Sequence, residues 1–412
     1  MPSENLSIIV EDFSPNYIFR GHAKEFSDKS GIETQLEMYT EQELREKMTK
    51  DIITHEANYD VLLLTKQEHS LYAKSNSLMD LSQLITDRSY TTEQEALSIT
   101  RDIYPNFIQY NRWNGKLIGI PYSGEGNVLF YRKDLFKNSH IKIPKTLPEL
   151  ARAAKKLHKP SDQVGIVMRG MAGYGLNMFV FGNVFFGAWG ARWFDEKWRP
   201  KFDSKQGIHA LKFYVDLLTK YGPGTDAATM NWDKCWSIFR EGKSAMFIDG
   251  GVYAPGTEDP KESVVAGRVG YATVPRGTIR KHLSGLYVWS FAINRDSTKT
   301  RAAWEWIKWA TSREMVLRSV TEQSHGTVAR KSVITDPAYF KRFPYKDWIN
   351  TENRVRRAGR EMRPMIGEYT DIGDRLGLAV QNAIEGSETP SHALKFAARD
   401  VYEIMKKAGY YK

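Results

Sequence analysis

The chain has 412 residues, 41% of them hydrophobic, and 59 lysines and arginines against 49 acids give it a formal charge of +10. A single core stops growing at about 250–300 residues, so two domains are expected. No run of roughly 18 apolar residues is available to cross a bilayer. The basic residues are dispersed among acids, which argues against a nucleic-acid-reading stripe. Their densest run, Arg354-Val-Arg-Arg-Ala-Gly-Arg360 followed by Arg363, reads as a solvated basic face.

Leu6–Val10 reads as a strand, Glu11–Tyr17 as a polar loop, and Ile18–Ser30 as a helix stopped by Gly31. Ile32–Met38 alternates like a strand, Glu41–His55 is helical, and Asp60–Thr65 is an apolar run typical of a buried parallel strand. The succession β-α-β-α-β predicts an α/β class with a parallel, doubly wound sheet. Ligands of such sheets bind beyond the carboxyl ends of the strands. Those ends are polar loops carrying Asp12, Ser14 and Asn16, then Glu41, then Gln67 and Glu68.

Two apolar runs, Leu117–Ile120 and Val128–Tyr131, flank a polar link with Gly124, Glu125 and Gly126. By themselves they describe a hairpin bearing an acid, or a passage between domains. Thr146-Leu-Pro-Glu149 is a capping box, and Leu150, Ala153, Ala154 and Leu157 continue it as an amphipathic helix. Gln163–Met168 reads as a strand leading into the glycine-rich loop Arg169–Gly175, and Met178–Trp193 as a buried helix ending in a turn. Ile208–Leu218 and Asn231–Glu241 are helical; Ser244–Ile248, Val269–Val274 and Gly285–Ile293 have strand character. Arg301–Ser319 reads as one helix, and two more, around Ile372–Ala383 and Leu394–Met405, close the chain. No flexible linker is present, so the two domains are expected to exchange the chain more than once.

Motifs for chemistry are absent. There is no P-loop, no GxSxG elbow, no HExxH helix, and no GxGxxG after a strand. Nine histidines lack metal-ligand spacing; His22, His69 and His325 read as surface or loop residues. The lone Cys235 excludes an intramolecular disulfide and reads as a buried, inert thiol. No cofactor or metal site is expected. Glu125 with Asp249 or Glu41 would be the carboxylate pair if the protein cleaved glycosides. The chain holds 11 Trp, 21 Tyr and 19 Phe, many in glycine-rich loops, where flat rings suit sugar faces as well as cores.

Gly115-Lys-Leu-Ile-Gly-Ile-Pro-Tyr-Ser-Gly-Glu-Gly-Asn-Val-Leu-Phe-Tyr-Arg-Lys-Asp-Leu-Phe136, with Pro144-Lys-Thr-Leu-Pro-Glu-Leu150, resembles the family 1 extracellular solute-binding proteins, the maltose-binding-protein-like receptors of carbohydrate ABC importers. Phe239–Gly250, Gly270–Pro275, Ser284–Asn294 and the Ala303-Trp-Glu-Trp-Ile307 helix match in the same order. The resemblance implies a two-lobed periplasmic binding protein fold, each lobe a sheet flanked by helices. It places residues 1–121 with 287–340 in an N-terminal lobe and 127–283 with 350–412 in a C-terminal lobe, with hinge crossings near 122–126, 284–287 and 339–350.

It further implies a monomeric receptor that hands a carbohydrate or polyol to membrane permease subunits, without catalysis. Its compartment would be the periplasm, any signal peptide having been removed. Rival readings are an anionic solute held by Arg363 or Arg169, a glycan-processing enzyme, and a lectin. Glu125 matches a crossing-loop glutamate that bonds sugar hydroxyls in the maltose receptor, and Ser123, Gly124, Gly285 and Tyr287 accompany it in the crossings. Gln67 and Glu68 stand where that receptor has an acid and an arginine. Asp249-Gly-Gly-Val252, with Gly250, replaces the segment that supplies its stacking tryptophan. Stacking would then fall to Trp232, Tyr174, Tyr287 or Trp289, with Gly173 beside Tyr174 in the loop.

Overall fold

The structure, a computed structural model, describes residues 4–173, 176–279 and 284–411, the side chains of Glu4, Lys66 and Gln67 excepted. Tyr174 therefore lies outside the described residues, and so does the side chain of Gln67. The chain forms two compact units, Met1–Gly124 with Tyr287–Pro344, and Glu125–Leu286 with Tyr345–Lys412. The backbone passes from one unit to the other three times.

Eight strands form the two principal sheets: β1 (Glu4–Glu11), β2 (Ile32–Tyr39), β3 (Val61–Leu64), β4 (Ile120–Glu125), β5 (Asn127–Arg132), β6 (Met246–Gly250), β7 (Val269–Thr273) and β8 (Tyr287–Ile293). In the first unit the order is β2-β1-β3-β8-β4. The β1–β2 and β1–β3 pairs are parallel, whereas β8 runs antiparallel to β3. The sheet is thus mixed, not wholly parallel: β8 returns from the second unit and enters from the opposite end. All four residues of β3 are buried, which explains its uninterrupted apolar run. Helices α1 (Glu41–Thr54) and α2 (Lys66–Lys74) follow β2 and β3, and Leu44, Met48 and Tyr72 join Ile9, Leu62 and Leu64 in one core cluster.

The second unit holds the antiparallel sheet β6-β5-β7. Phe130 of β5 packs against Phe247 and Tyr271, each ring centroid 5.2 Å away, and all three rings are buried. Helices α3 (Leu147–Leu157), α4 (Trp232–Arg240) and α5 (Lys346–Ala358) belong to this unit, together with Lys205–Tyr221, Tyr369–Glu385 and Pro390–Lys407.

Several expectations need correction. β4 and β5 pair into different sheets, one in each unit, so of the two readings left open for them the hairpin falls away. Gln163–Met168 forms only isolated bridges, Gln163 to Lys159, Val164 to Ser244 and Val167 to Phe247. Met178–Trp193 contains a short 3₁₀ turn and a fully buried π-helical stretch, Phe181–Phe186, in place of an α-helix. Ile18–Ser30 is split at His22, and Arg301–Ser319 is split at Ser312. Ser312 takes an extended backbone and its hydroxyl caps the second helix through Met315 N–H, 3.1 Å away, a competition that serine offers to a continuing helix. His69 and His325 are buried, 0% and 1% exposed, so neither is a surface residue. The basic run is not uniformly solvated either, because Arg356 and Arg363 are buried beside acids of their own.

Candidate functional site

Each unit gathers carboxylates close to strand ends, Glu68 being buried in the first and Glu125, Asp249 and Glu352 in the second. In the first unit, Thr40 caps α1 with a full capping box, which sets Glu41 in the first turn and Arg45 one turn later. Glu41 Oε1 accepts from Arg45 Nη2 at 2.6 Å. Thr65 caps α2 in the same way, with Glu68 at the third position. Its Oε2 accepts from Thr65 N–H at 3.0 Å, while its Oε1 meets Arg45 Nε at 2.8 Å. Two capping boxes after two parallel strands therefore converge on one buried guanidinium. Burial opposes the Arg45 charge, but Glu41 and Glu68 outweigh it and raise the pKa.

Glu11, the last residue of β1, joins the cluster. Burial first, then the Glu41 carboxylate, lift its carboxyl well above the usual range, against Arg45 and a hydrogen bond with Trp289. The Tyr287 hydroxyl lies 3.4 Å from Arg45 Nη2, and its ring meets Trp289 edge-on at 4.7 Å.

Asn16 is buried against this group. It donates to the Glu11 carbonyl at 2.8 Å and accepts from the Tyr122 hydroxyl at 3.0 Å. Asp12 and Ser14 are exposed instead: Asp12 accepts from the Tyr17 hydroxyl at 2.7 Å, and Ser14 reaches the Gln323 carbonyl at 3.4 Å. Ser123 bonds to the Thr327 carbonyl at 3.0 Å and to His325 Nε2 at 2.8 Å. The neighbouring Gly124 N–H donates to the same carbonyl at 2.7 Å.

In the second unit, Arg169 forks onto Asp249 through Nε–Oδ2 at 2.7 Å and Nη2–Oδ1 at 2.5 Å. Asp249 is wholly buried and also accepts from Gly250 N–H at 2.7 Å. Glu125 is 3% exposed, and its Oε2 accepts from Val252 N–H at 2.7 Å. Burial, reinforced by Glu352 and Asp249, raises its pKa well above the carboxylate range. A Cβ on Gly250 would lie 2.3 Å from Glu125 Oε2, and one on Gly251 would lie 1.4 Å from Glu352 Oε1. The double glycine is what lets two carboxylates lie against the turn after β6.

Trp232 opens α4, partly exposed, and stacks on Tyr253 at 5.9 Å with 18° between the planes. Tyr253 in turn approaches Arg169, hydroxyl to Nη2, at 3.4 Å. Gly285 N–H donates to Asn127 Oδ1 at 3.2 Å. Gly173 takes a positive φ of 87° in the loop before the undescribed Tyr174. Arg363 lies apart from these in its bonding, forked onto Glu361 at 2.8 and 2.9 Å.

So Glu41, Glu68 and Tyr287 assemble in one unit, and Glu125, Asp249, Gly250 and Trp232 in the other. Arg45, Glu11 and Glu352 were not anticipated. The Glu41/Arg45 and Glu352/Arg356 pairs, each four residues apart on a helix, were the available signal. Among the described residues no group of acids, histidines or cysteines is arranged to hold a metal ion, and no helix is long and apolar enough to cross a membrane.

Two α/β units threaded by three crossings, with buried acids at the strand ends of each, define a solute-binding class of protein. The model of the bacterial extracellular solute-binding proteins matches residues 12–316, and the chain belongs to that family. It is 31% identical over 385 residues to a mannitol-binding protein of Pseudomonas aeruginosa, covering 90% of this chain and 85% of the relative. Among solved structures it resembles an ABC transporter solute-binding protein of Agrobacterium vitis S4 with bound D-mannitol. There the TM-score is 0.85 at 32% identity, over the full length of both chains. A second, from Agrobacterium radiobacter K84 in complex with ribitol, gives 0.87 at 29% identity, covering 97% of this chain and 98% of that one.

Proposed function

We propose that this chain is the periplasmic receptor of an ABC importer and that its solute is a neutral acyclic polyol or a closely related carbohydrate. The observation that carries the reading is the charge balance of the two clusters. Glu11, Glu41 and Glu68 surround the single Arg45, and Glu125, Asp249 and Glu352 accompany Arg169 and Arg356. Hydroxyl groups donate to carboxylates and accept from protonated ones, so such clusters suit a polyol. The arginines offered to an anionic solute, Arg169 and Arg363, are already forked onto Asp249 and Glu361. Full-length likeness to proteins named for mannitol and ribitol supports the same choice.

A glycosidase reading is less well supported. Both oxygens of Asp249 are engaged by Arg169, which leaves it poorly placed to attack a sugar. Delivery to membrane permease subunits follows from the receptor role.

The test is a thermal-shift and calorimetric panel of D-mannitol, ribitol, D-glucitol, maltose and sn-glycerol 3-phosphate. A ligand at a hundred times its Kd adds about 2.7 kcal/mol to folding, a rise of roughly 3 °C in Tm for a chain of this length. Polyols are expected to give it. A response confined to maltose or the phosphate would overturn the proposal.

A further inference from the structure

Away from the acid-rich cluster, the second unit carries a cavity of about 520 Å³ between the Ser139–Lys145 segment and helix α3. Its lining includes Lys142, Lys145, Arg152 and Lys156, with a single acid, Glu149. Arg152 and Lys156 are one turn apart on α3, and Lys142 and Lys145 come from the preceding loop. Four cations thus face one concavity although like charges repel at that spacing.

The one acid offsets the four cations only in part. Glu149 Oε2 is spent on the backbone N–H groups of Lys145 at 2.7 Å and Thr146 at 3.1 Å, the return arm of the capping box, and those bonds hold it ionised. No ion pair joins Lys142, Lys145 or Arg152 to an acid among the described residues. Lys156 is anchored by its bond to the Ser139 carbonyl at 2.7 Å, which draws its ammonium toward the loop. The first amides of α3 are occupied as well, Leu147 N–H by the Arg276 carbonyl at 2.9 Å and Glu149 N–H by the Thr146 hydroxyl at 3.3 Å. An anion here would therefore be held by side chains, not by the helix end. Ile143 is 42% exposed at the rim and gives the groove an apolar edge.

We propose that this groove is a second binding site, for a ligand bearing a phosphate group. A phosphate offers three strong acceptors to donors arriving from several directions, and an arginine fork with surrounding ammoniums matches it better than a planar carboxylate. All four cations are solvent-exposed, and what sets them apart from lysines on an open helix face is the concavity they share. The site is independent of the polyol reading, because none of its residues belongs to the acid-rich cluster.

The experiment uses the full chain with D-mannitol present throughout. Isothermal titration with sn-glycerol 3-phosphate is one arm, and co-sedimentation with phosphatidylglycerol–phosphatidylcholine vesicles is the other. Binding to the first identifies a free phosphoester as the source, and binding to the second a lipid headgroup. Lys145→Gln/Arg152→Gln should lose about tenfold in affinity for the responding probe, and Arg152→Gln alone about threefold. Lys50→Gln/Lys341→Gln, which removes two exposed charges from the first unit, should lose less than about twofold. Equal losses in the two double variants would mean general surface electrostatics and overturn the site. So would a wild-type chain that binds neither probe.

Discussion

Glu352 offers the sharpest check on the electrostatics of the second unit. It sits on α5 one turn before Arg356, both side chains fully buried, with Arg356 Nη2 3.9 Å from Oε2. That distance is an ion pair but not a hydrogen bond, and among the described residues neither carboxylate oxygen has a hydrogen-bond partner. Burial, only partly offset by Arg356, raises the pKa from an ordinary 4.5 to about 7. A raised carboxyl pKa means that the folded state holds the proton more tightly than the unfolded chain. Its contribution to stability is full below the unfolded value and is lost as pH rises through about 7. At about 1.4 kcal/mol per pH unit the loss approaches roughly 3 kcal/mol.

Glu352→Gln removes this titration. It also relieves Glu125, whose own raised pKa owes part of its shift to Glu352. The stability of the variant relative to wild type should therefore increase from pH 5 to pH 8 by about 3 kcal/mol. Urea denaturation at intervals across that range, followed by tryptophan fluorescence, measures it. Parallel pH profiles for the two proteins would refute the account.

Asp249→Asn should destabilise the second unit by about 3–5 kcal/mol, because Arg169 would stay buried without its charge partner. Replacing both members by apolar residues should cost less, and a single-variant loss under about 1 kcal/mol in denaturation would show that the fork is not structural. Glu125→Ala should weaken polyol binding by about tenfold or more in calorimetry, as expected when a charge-assisted or well-buried hydrogen bond is lost. Glu125→Gln should stay within about threefold, since burial favours the uncharged carboxyl, which an amide resembles. A glutamine variant as weak as the alanine variant would show that the ionised form is needed.

The positions of most elements were legible because they rest on local signals. The capping box at Thr146, the αL glycine at Gly31 and the buried apolar run of β3 act within a few residues, and each marks the boundary it should. The two carboxylate clusters offered as the candidate site were half legible. Glu125 and Asp249 stand out as acids beside glycines, and Glu41 and Glu68 lie at strand ends. Their partners were not visible, because Arg45 meets Glu68 only after two helices have packed, and Arg169 meets Asp249 across 80 residues of chain.

The sequence by itself therefore determined the local elements and, through motif order, the family. Tertiary structure decided which sheet each run joins and which charges face one another. Val128–Tyr131 has the same apolar pattern whether it turns back on β4 or crosses into another sheet. Burial likewise turns Arg356, Arg363 and Glu352 from apparent surface charges into paired interior ones. Pairing across long chain separations depends on packing and the loss of water around each group, and neither is written in the periodicity of a segment.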